Sequence, residues 1–229
     1  MSNVTGTLYL VSTPIGNLDD LSSRAKNILN SVNYVLCEEI SQTKKLLQLQ
    51  KISPFEAKLS RYEGKGFKGE LQQAQVIADL NSGKSIALVT NAGTPLISDP
   101  GQSLVNIVVK SNLPVVHIPG PVAMISAAIS SGLPTKNLIF IGFLSKKEIA
   151  IRKDLERAKK SMLFLEEPAS IILYCSKYQL FKTLLSIKLV FGGETLISIA
   201  GELTKLHEKH FTGTVSQTEL WLKSDPLNQ

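Results

Sequence analysis

Short apolar runs rich in β-branched side chains recur along this chain, and a stretch of helical periodicity follows each one. Thr7 to Ser12, Tyr34 to Cys37, Ile86 to Thr90 and Val115 to Pro119 are the runs of the first half. They are apolar at consecutive rather than alternate positions, as a strand buried on both faces must be. Between them, Leu21, Ala25, Ile28, Leu29 and Val32 recur at helical spacing, with Ser41 placed to cap the next helix. Glu70 to Asn81, Leu104 to Lys110 and Val122 to Ser130 also read as helices. Parallel strands need a helix-length crossover, so this alternation predicts a mainly parallel sheet covered on both faces.

The texture changes near Pro134, which sets a boundary between domains at 1–134 and 135–229. The second holds strands over Leu138 to Phe143, Ile171 to Cys175 and Thr195 to Ala200, with a helix from Gln179 to Leu189. Ser145 with Glu148, and Ser216 with Glu219, have capping-box spacing ahead of two further helices. The fold class is therefore α/β, with a mainly parallel N-terminal sheet.

Composition excludes several classes. Cys37 and Cys175 are far apart and lie in apolar runs, so they read as buried free thiols in a reducing compartment. No apolar run reaches the roughly 18 residues of a membrane-spanning helix, and the N-terminus lacks the pattern of a signal peptide. A soluble, cytoplasmic protein is expected. The formal charge of +6 favours polyanionic partners.

Two phosphate-loop patterns fail on context. Gly64 to Gly69, G-K-G-F-K-G, lacks both a strong preceding strand and the later acid, so it reads as a mobile basic loop. Gly83-Lys84-Ser85 has Ala78 where a P-loop needs its first glycine. The stretch T-N-A-G-T-P-L-I-S-D-P-G, Thr90 to Gly101, is more informative. It leaves a buried strand at its carboxyl end, where open α/β sheets bind ligands, and its small residues let backbone approach a ligand closely. P-I-G-N-L (Pro14 to Leu18) and I-P-G-P-V-A (Ile118 to Ala123) are similar loops, the second opening a helix. With no metal-ligand cluster, triphosphate motif or nucleophile–base pair, a nucleoside-type ligand held by backbone fits the inventory. His117 reads as a structural or wall residue, and Asp99 as the cap of a helix beginning at Pro100.

At these loops the chain resembles the tetrapyrrole methylase superfamily, and more closely its ribosomal RNA small-subunit methyltransferase I family. The resemblance is carried by L-Y-L-V-S-T-P-I-G-N-L-D-D-L-S-S-R-A (Leu8 to Ala25), T-N-A-G-T-P-L-I-S-D-P-G and H-I-P-G-P-V-A with S-G-L-P-T (His117 to Thr135). F-I-G-F-L-S-K-K (Phe140 to Lys147) and E-L-T-K (Glu202 to Lys205) complete it. It implies a homodimer of chains with two α/β domains, the C-terminal sheet mixed, S-adenosylmethionine as cofactor in the interdomain cleft, and ribosomal RNA as the partner, methylated on a cytidine ribose 2′-hydroxyl. Carried over, cofactor contacts fall on Pro14, Gly16, Gly93, Thr94, Pro95, Ile97 and Ala123, with Tyr174 and Cys175 at the end of a second-domain strand. Methyl transfer to a hydroxyl needs alignment and a proton acceptor. Glu39 is the candidate base and Lys205 the candidate assisting cation.

The acceptor side departs from the family. E-D-T-R-x-T becomes E-E-I-S-Q-T (Glu38 to Thr43), the histidines of a Y-H-E-H-N-E region are absent from Tyr62 to Glu70, and Gly201 stands where R-E-L-T-K has arginine. Two other functions stay open on these losses: a small-molecule, tetrapyrrole-type methyltransferase, and a non-catalytic paralogue that binds RNA or cofactor. The cations of Lys146 to Lys160 are either a solvated helix face or an RNA phosphate contact.

Overall fold

The computed structural model describes residues 5–52 and 58–224. Its contacts divide the chain into two units, Met1–Val122 and Ala123–Gln229. The first unit holds β1 (Leu8–Val11), β2 (Tyr34–Cys37), β3 (Leu59–Arg61), β4 (Ile86–Val89) and β5 (Val115–Ile118). Helices α1 (Ser23–Ser31), α2 (Ile40–Leu49), α3 (Gly66–Asn81) and α4 (Gln102–Lys110) connect them. The strands lie in the order β3-β2-β4-β1-β5, and every pairing is parallel.

The core shows why these strands are apolar throughout. Leu8 and Leu10 of β1, Leu36 of β2, and Ile86 and Leu88 of β4 pack against Val76, Leu80, Leu104 and Val108 of α3 and α4. The intervening Val11, Val35, Cys37, Ala87 and Val89, with Ile118, pack against Ala25, Leu29 and Leu47 of α1 and α2. A slip of one residue in the register that sets Leu8 opposite Ile86 would send each set into the wrong layer. The amino ends of the inner strands β2 and β4 are pinned by polar groups. Asp79, only 7% exposed, accepts hydrogen bonds from Lys84 Nζ at 2.8 Å and Tyr34 Oη at 3.1 Å. Burial pushes the Asp79 carboxyl up, but donation from Lys84, Gln75 and Tyr34 outweighs it and holds the group below the usual carboxylate range.

The second unit begins with α5 (Ala123–Ser130) and continues through β6 (Asn137–Phe143), α6 (Glu148–Met162), β7 (Ala169–Tyr174) and α7 (Leu180–Phe191) to β8 (Leu196–Gly201), β9 (Lys209–Thr214) and α8 (Val215–Ser224). β6 and β7 pair in parallel, with an irregularity between Phe140 and Phe143, while β8 and β9 pair antiparallel. Leu184, Val215 and Leu222 form a core joined by Ile197, Ile199 and Trp221. Among the described residues no helix is long and apolar enough to cross a membrane.

Several sequence expectations are corrected. The boundary falls ahead of α5 rather than near Pro134, because this alanine-rich helix packs on β7 and β8. G-K-G-F-K-G is not a loop: Gly64 and Gly66 turn the chain at positive φ and α3 starts at Gly66. Ser41 lies inside α2, whose cap position is Glu39. Glu148 opens α6 and pairs with Arg152, while Ser145 Oγ accepts from Lys147 N. The real capping box at α8 is Thr214 with Gln217, each side chain accepting from the other's amide at 3.1 and 2.9 Å. Glu219 instead bridges Lys188 and Lys223. Cys37 is buried as expected, but Cys175 is only half-buried.

Candidate active site

Parallel strands present all their carboxyl ends along one edge, so the loops after β1, β2, β4 and β5 gather there. The chain leaves β2 toward β3 and leaves β4 toward β5. Neighbouring strands β2 and β4 therefore send their connections apart, which opens a crevice in sheets of this kind. A crevice of about 500 Å³ lies there, lined by Glu38, Glu39, Ile40, Ser41, Arg61 and Asn91.

Beside it, the loops after β1 and β4 are tied together. Thr13 and Gly93 exchange both backbone hydrogen bonds, at 2.9 and 3.0 Å. Gly93 has φ +85°, and a Cβ there would stand 3.3 Å from Ile15 Cγ2, so the P-I-G-N loop rests directly on it. Leu96 and Ser98 follow with φ of 74° and 68°, left-handed values that cost a non-glycine residue roughly 1–2 kcal/mol each. The buried Pro95 and the Thr94–Ile97 turn hold them there. Among the described residues, the amides of Ala92, Thr94 and Leu96 have no hydrogen-bond partner.

A second tie runs through side chains. Ser12 Oγ lies 2.8 Å from Thr94 Oγ1 and 3.2 Å from His117 Nε2, while Thr94 Oγ1 donates to the Pro121 carbonyl at 3.1 Å. Ser12 is 2% exposed. Gly120 presses on it, since a Cβ at that position would meet Ser12 Cβ at 2.7 Å.

Asp99 does not cap α4. The cap position is Gly101 at φ +133°, with no side-chain hydrogen bond. Asp99 is half-buried, and among the described residues its carboxyl accepts no hydrogen bond. Burial, with the charge of Glu38 second, pushes it up to about 6.

The first unit thus brings Pro14, Gly16, Gly93, Thr94, Pro95, Ile97 and Glu39 to one edge. Glu39 lines the crevice, and its Oε1 accepts from Ser41 Oγ at 2.7 Å. In the second unit, Ala123 begins α5 and Tyr174 closes β7 between the rings of Phe140 and Phe143, at 5.0 and 5.2 Å. Cys175 Sγ lies 3.4 Å from Thr183 Oγ1, and burial pushes its thiol up. Lys205 sits in the turn between β8 and β9, paired with Glu202 at 3.0 Å. On α6, Arg152 and Arg157 pair within their own helix and Lys159 Nζ donates to Val190 O. Lys153 and Lys160 have no partner among the described residues. Sequence reasoning passed over Ser12, whose only signal is a small polar residue closing an apolar strand.

Residues 7–219 match the family of tetrapyrrole (corrin/porphyrin) methylases. The ribosomal RNA small subunit methyltransferase I of a Synechocystis strain is 41% identical over 212 residues, 92% of this chain and 71% of that protein. Its counterpart in a Hydrogenobaculum strain is 40% identical over 208 residues, 91% of this chain and 85% of that one. The crystal structure of a cobalt precorrin-4 methyltransferase covers 97% of the chain, itself 91% covered, with a TM-score of 0.65 at 16% identity, which speaks for the fold alone. With its matching residues running through both units, the chain belongs to the tetrapyrrole methylases, and within them to the family of ribosomal RNA small subunit methyltransferase I.

Proposed function

We propose that this protein is an S-adenosylmethionine-dependent methyltransferase acting on small-subunit ribosomal RNA, and that its acceptor is a ribose 2′-hydroxyl. The observation that carries the reading is the Thr13–Gly93 bridge with its row of unpartnered amides, in a chain whose relatives bear that enzyme's name. The residues fit the cofactor. A glycine at positive φ whose Cβ would crowd Ile15, buried prolines and free amides suit a ligand whose carboxylate and ribose are read by backbone.

When bound, S-adenosylmethionine supplies a methyl group on sulfonium, already activated for transfer. The chain contributes position and proton management. Pro14, Gly16, Gly93, Thr94, Pro95 and Ile97 are proposed to hold the donor, and the strained Leu96–Ser98 segment keeps the loop in one shape. Ala123, Tyr174 and Cys175 are proposed as further contacts on the resemblance alone. Glu39 remains the proposed base, its carboxylate facing the crevice. Asp99 is a second candidate, favoured by a carboxyl that titrates near 6 without hydrogen bonds to satisfy it. Lys205 is the weaker half of the catalytic pair, since Glu202 already neutralises it. Lys153 and Lys160 are proposed RNA phosphate contacts. A cytoplasmic homodimer completes the proposal, and two free cysteines suit that compartment.

The test begins with calorimetric titration of S-adenosylmethionine into the protein and a Gly93→Trp variant shown to be folded. Saturable binding lost in the variant is expected. Labelled methyl transfer to small ribosomal subunits follows, with nucleoside digestion. Label on a base would overturn the ribose assignment. Label on a porphyrinoid but not on RNA would favour a small-molecule enzyme, and binding without transfer a non-catalytic paralogue. RNA affinity should fall steeply with salt, and a Lys153→Glu/Lys160→Glu variant should show a salt slope smaller by about one per lost phosphate contact.

A further inference from the structure

We propose that His117, held as its Nε2–H tautomer, is a positioning residue that fixes Thr94 through Ser12 and so sets the spacing of three loops at the donor side. The inference rests on reading those loops as the cofactor site.

The proton assignment follows from a chain of contacts with one fixed end. The Pro121 carbonyl can only accept, so the single hydroxyl proton of Thr94 is committed to it at 3.1 Å. Thr94 Oγ1 must then accept from Ser12, 2.8 Å away, which commits the only proton of Ser12. The remaining contact of Ser12 Oγ, 3.2 Å to His117 Nε2, is a hydrogen bond only if the ring donates. All three bonds exist together in one arrangement alone: His117 Nε2–H to Ser12, Ser12 to Thr94, Thr94 to Pro121. In the neutral ring Nδ1 then carries no proton.

The serine link has little freedom, while the imidazole of His117 is itself exposed. Ser12 is 2% exposed, which closes it off from bulk solvent. Gly120 blocks its retreat, and its own amide donates to Ile118 O at 3.2 Å. Arg24 Nη2 donates to the His117 carbonyl at 3.3 Å, steadying the strand that carries the ring. The chain thus joins the ends of β1 and β5 to the loop after β4, and Thr94 cannot rotate its hydroxyl toward solvent without breaking two bonds. The Thr13–Gly93 bridge fixes the backbone of this loop, and the His117 chain fixes the side chain next to it.

Two measurements test the proposal. Long-range ¹H–¹⁵N correlation of the unmodified protein, at a pH where the ring is neutral, should show the Nε2–H pattern for His117. With three histidines in the chain, the signal missing from a His117→Gln spectrum assigns it. An Nδ1–H pattern would overturn the proton chain. Calorimetric titration with S-adenosylhomocysteine should then show His117→Ala weaker by about fivefold, the effect of one typical net hydrogen bond. His117→Gln, whose Nε2 can still donate, should recover most of that loss, whereas His117→Glu, ionised and unable to donate, should not. Equal affinity in His117→Ala and the parent would refute the positioning role. So would a glutamine variant as weak as the alanine one. A parent that binds no S-adenosylhomocysteine would overturn the cofactor reading and the positioning role with it, and the tautomer signal separates that failure from a wrong proton assignment.

Discussion

Gly120→Ala isolates a single collision. The added methyl group would stand 2.7 Å from Ser12 Cβ, whereas carbon atoms settle at about 3.5–4.0 Å, so roughly 1 Å must be found. Gly120 is not among the residues at positive φ, so alanine meets no backbone penalty. Ser12 cannot give way easily, being buried and bonded through both its amide and its hydroxyl. Overpacking of this kind costs about 1–3 kcal/mol, and we expect about 2 here. Ser12→Gly removes the struck atom but also the hydroxyl, a cost of about 1–2 kcal/mol for its hydrogen bonds and its added chain entropy. The two changes should therefore couple: the double variant should be no less stable than Ser12→Gly alone, an interaction energy of about 2 kcal/mol. Urea denaturation followed by far-UV circular dichroism gives the stabilities, and hydrogen exchange in the β1 and β5 peptides localises the effect. The only tryptophan, Trp221, stacks on Phe211 at 4.8 Å in the second unit, so its emission serves as an internal control. Additive losses, with coupling below about 0.5 kcal/mol, would show that Gly120 does not press on Ser12.

Three further outcomes are expected. Asp79 has a depressed carboxyl, so its stabilising contribution is present above the ordinary carboxylate range and lost as pH falls through the folded value; urea midpoints of Asp79→Asn should fall less steeply in acid than the parent's, and parallel curves would sink the assignment. Asp99 has the opposite sign: stability should decline as pH rises from the carboxylate range to about 6, Asp99→Asn should abolish the decline, and if Asp99 is the base the activity limb near 6 should vanish with it. Thr214→Ala removes one half of the α8 capping box and should cost about 1 kcal/mol, read through Trp221 emission; an unchanged midpoint would mean that the cap contributes nothing.

The first unit was largely legible because its strands are apolar on both faces, a pattern that a polar environment cannot imitate. β3 escaped notice as a three-residue edge strand, Leu-Ser-Arg, with no buried face to mark it. β9, Lys-His-Phe-Thr-Gly-Thr, reads as loop composition and is a strand only because β8 supplies its partner. G-K-G-F-K-G misled because glycine signals positive φ without saying whether a loop or a helix follows. The capping box at α8 was misplaced by two residues, since Thr214 and Ser216 are equivalent until the turn geometry chooses. The cofactor loops were legible from their small residues. The chain of Ser12, Thr94 and His117 was not, because its links span 82 and 105 residues and leave no local pattern.

The position of β1 inside the sheet also shapes how the protein emerges from a ribosome. β1 pairs with β4 through Leu8 and Ile86, and with β5 through Val11 and Ile118, so it is made before either of its neighbours. At ordinary elongation rates of about 5–20 residues per second, Leu8–Val11 waits on the order of ten seconds with both edges unpaired. Closure comes with Ile118, just before the chain passes Val122 into the second unit. The first unit can thus finish its sheet, and join the P-I-G-N loop to Gly93, while the second is still being synthesised. Until β4 is made, the early apolar segment has neither of its sheet neighbours to pair with.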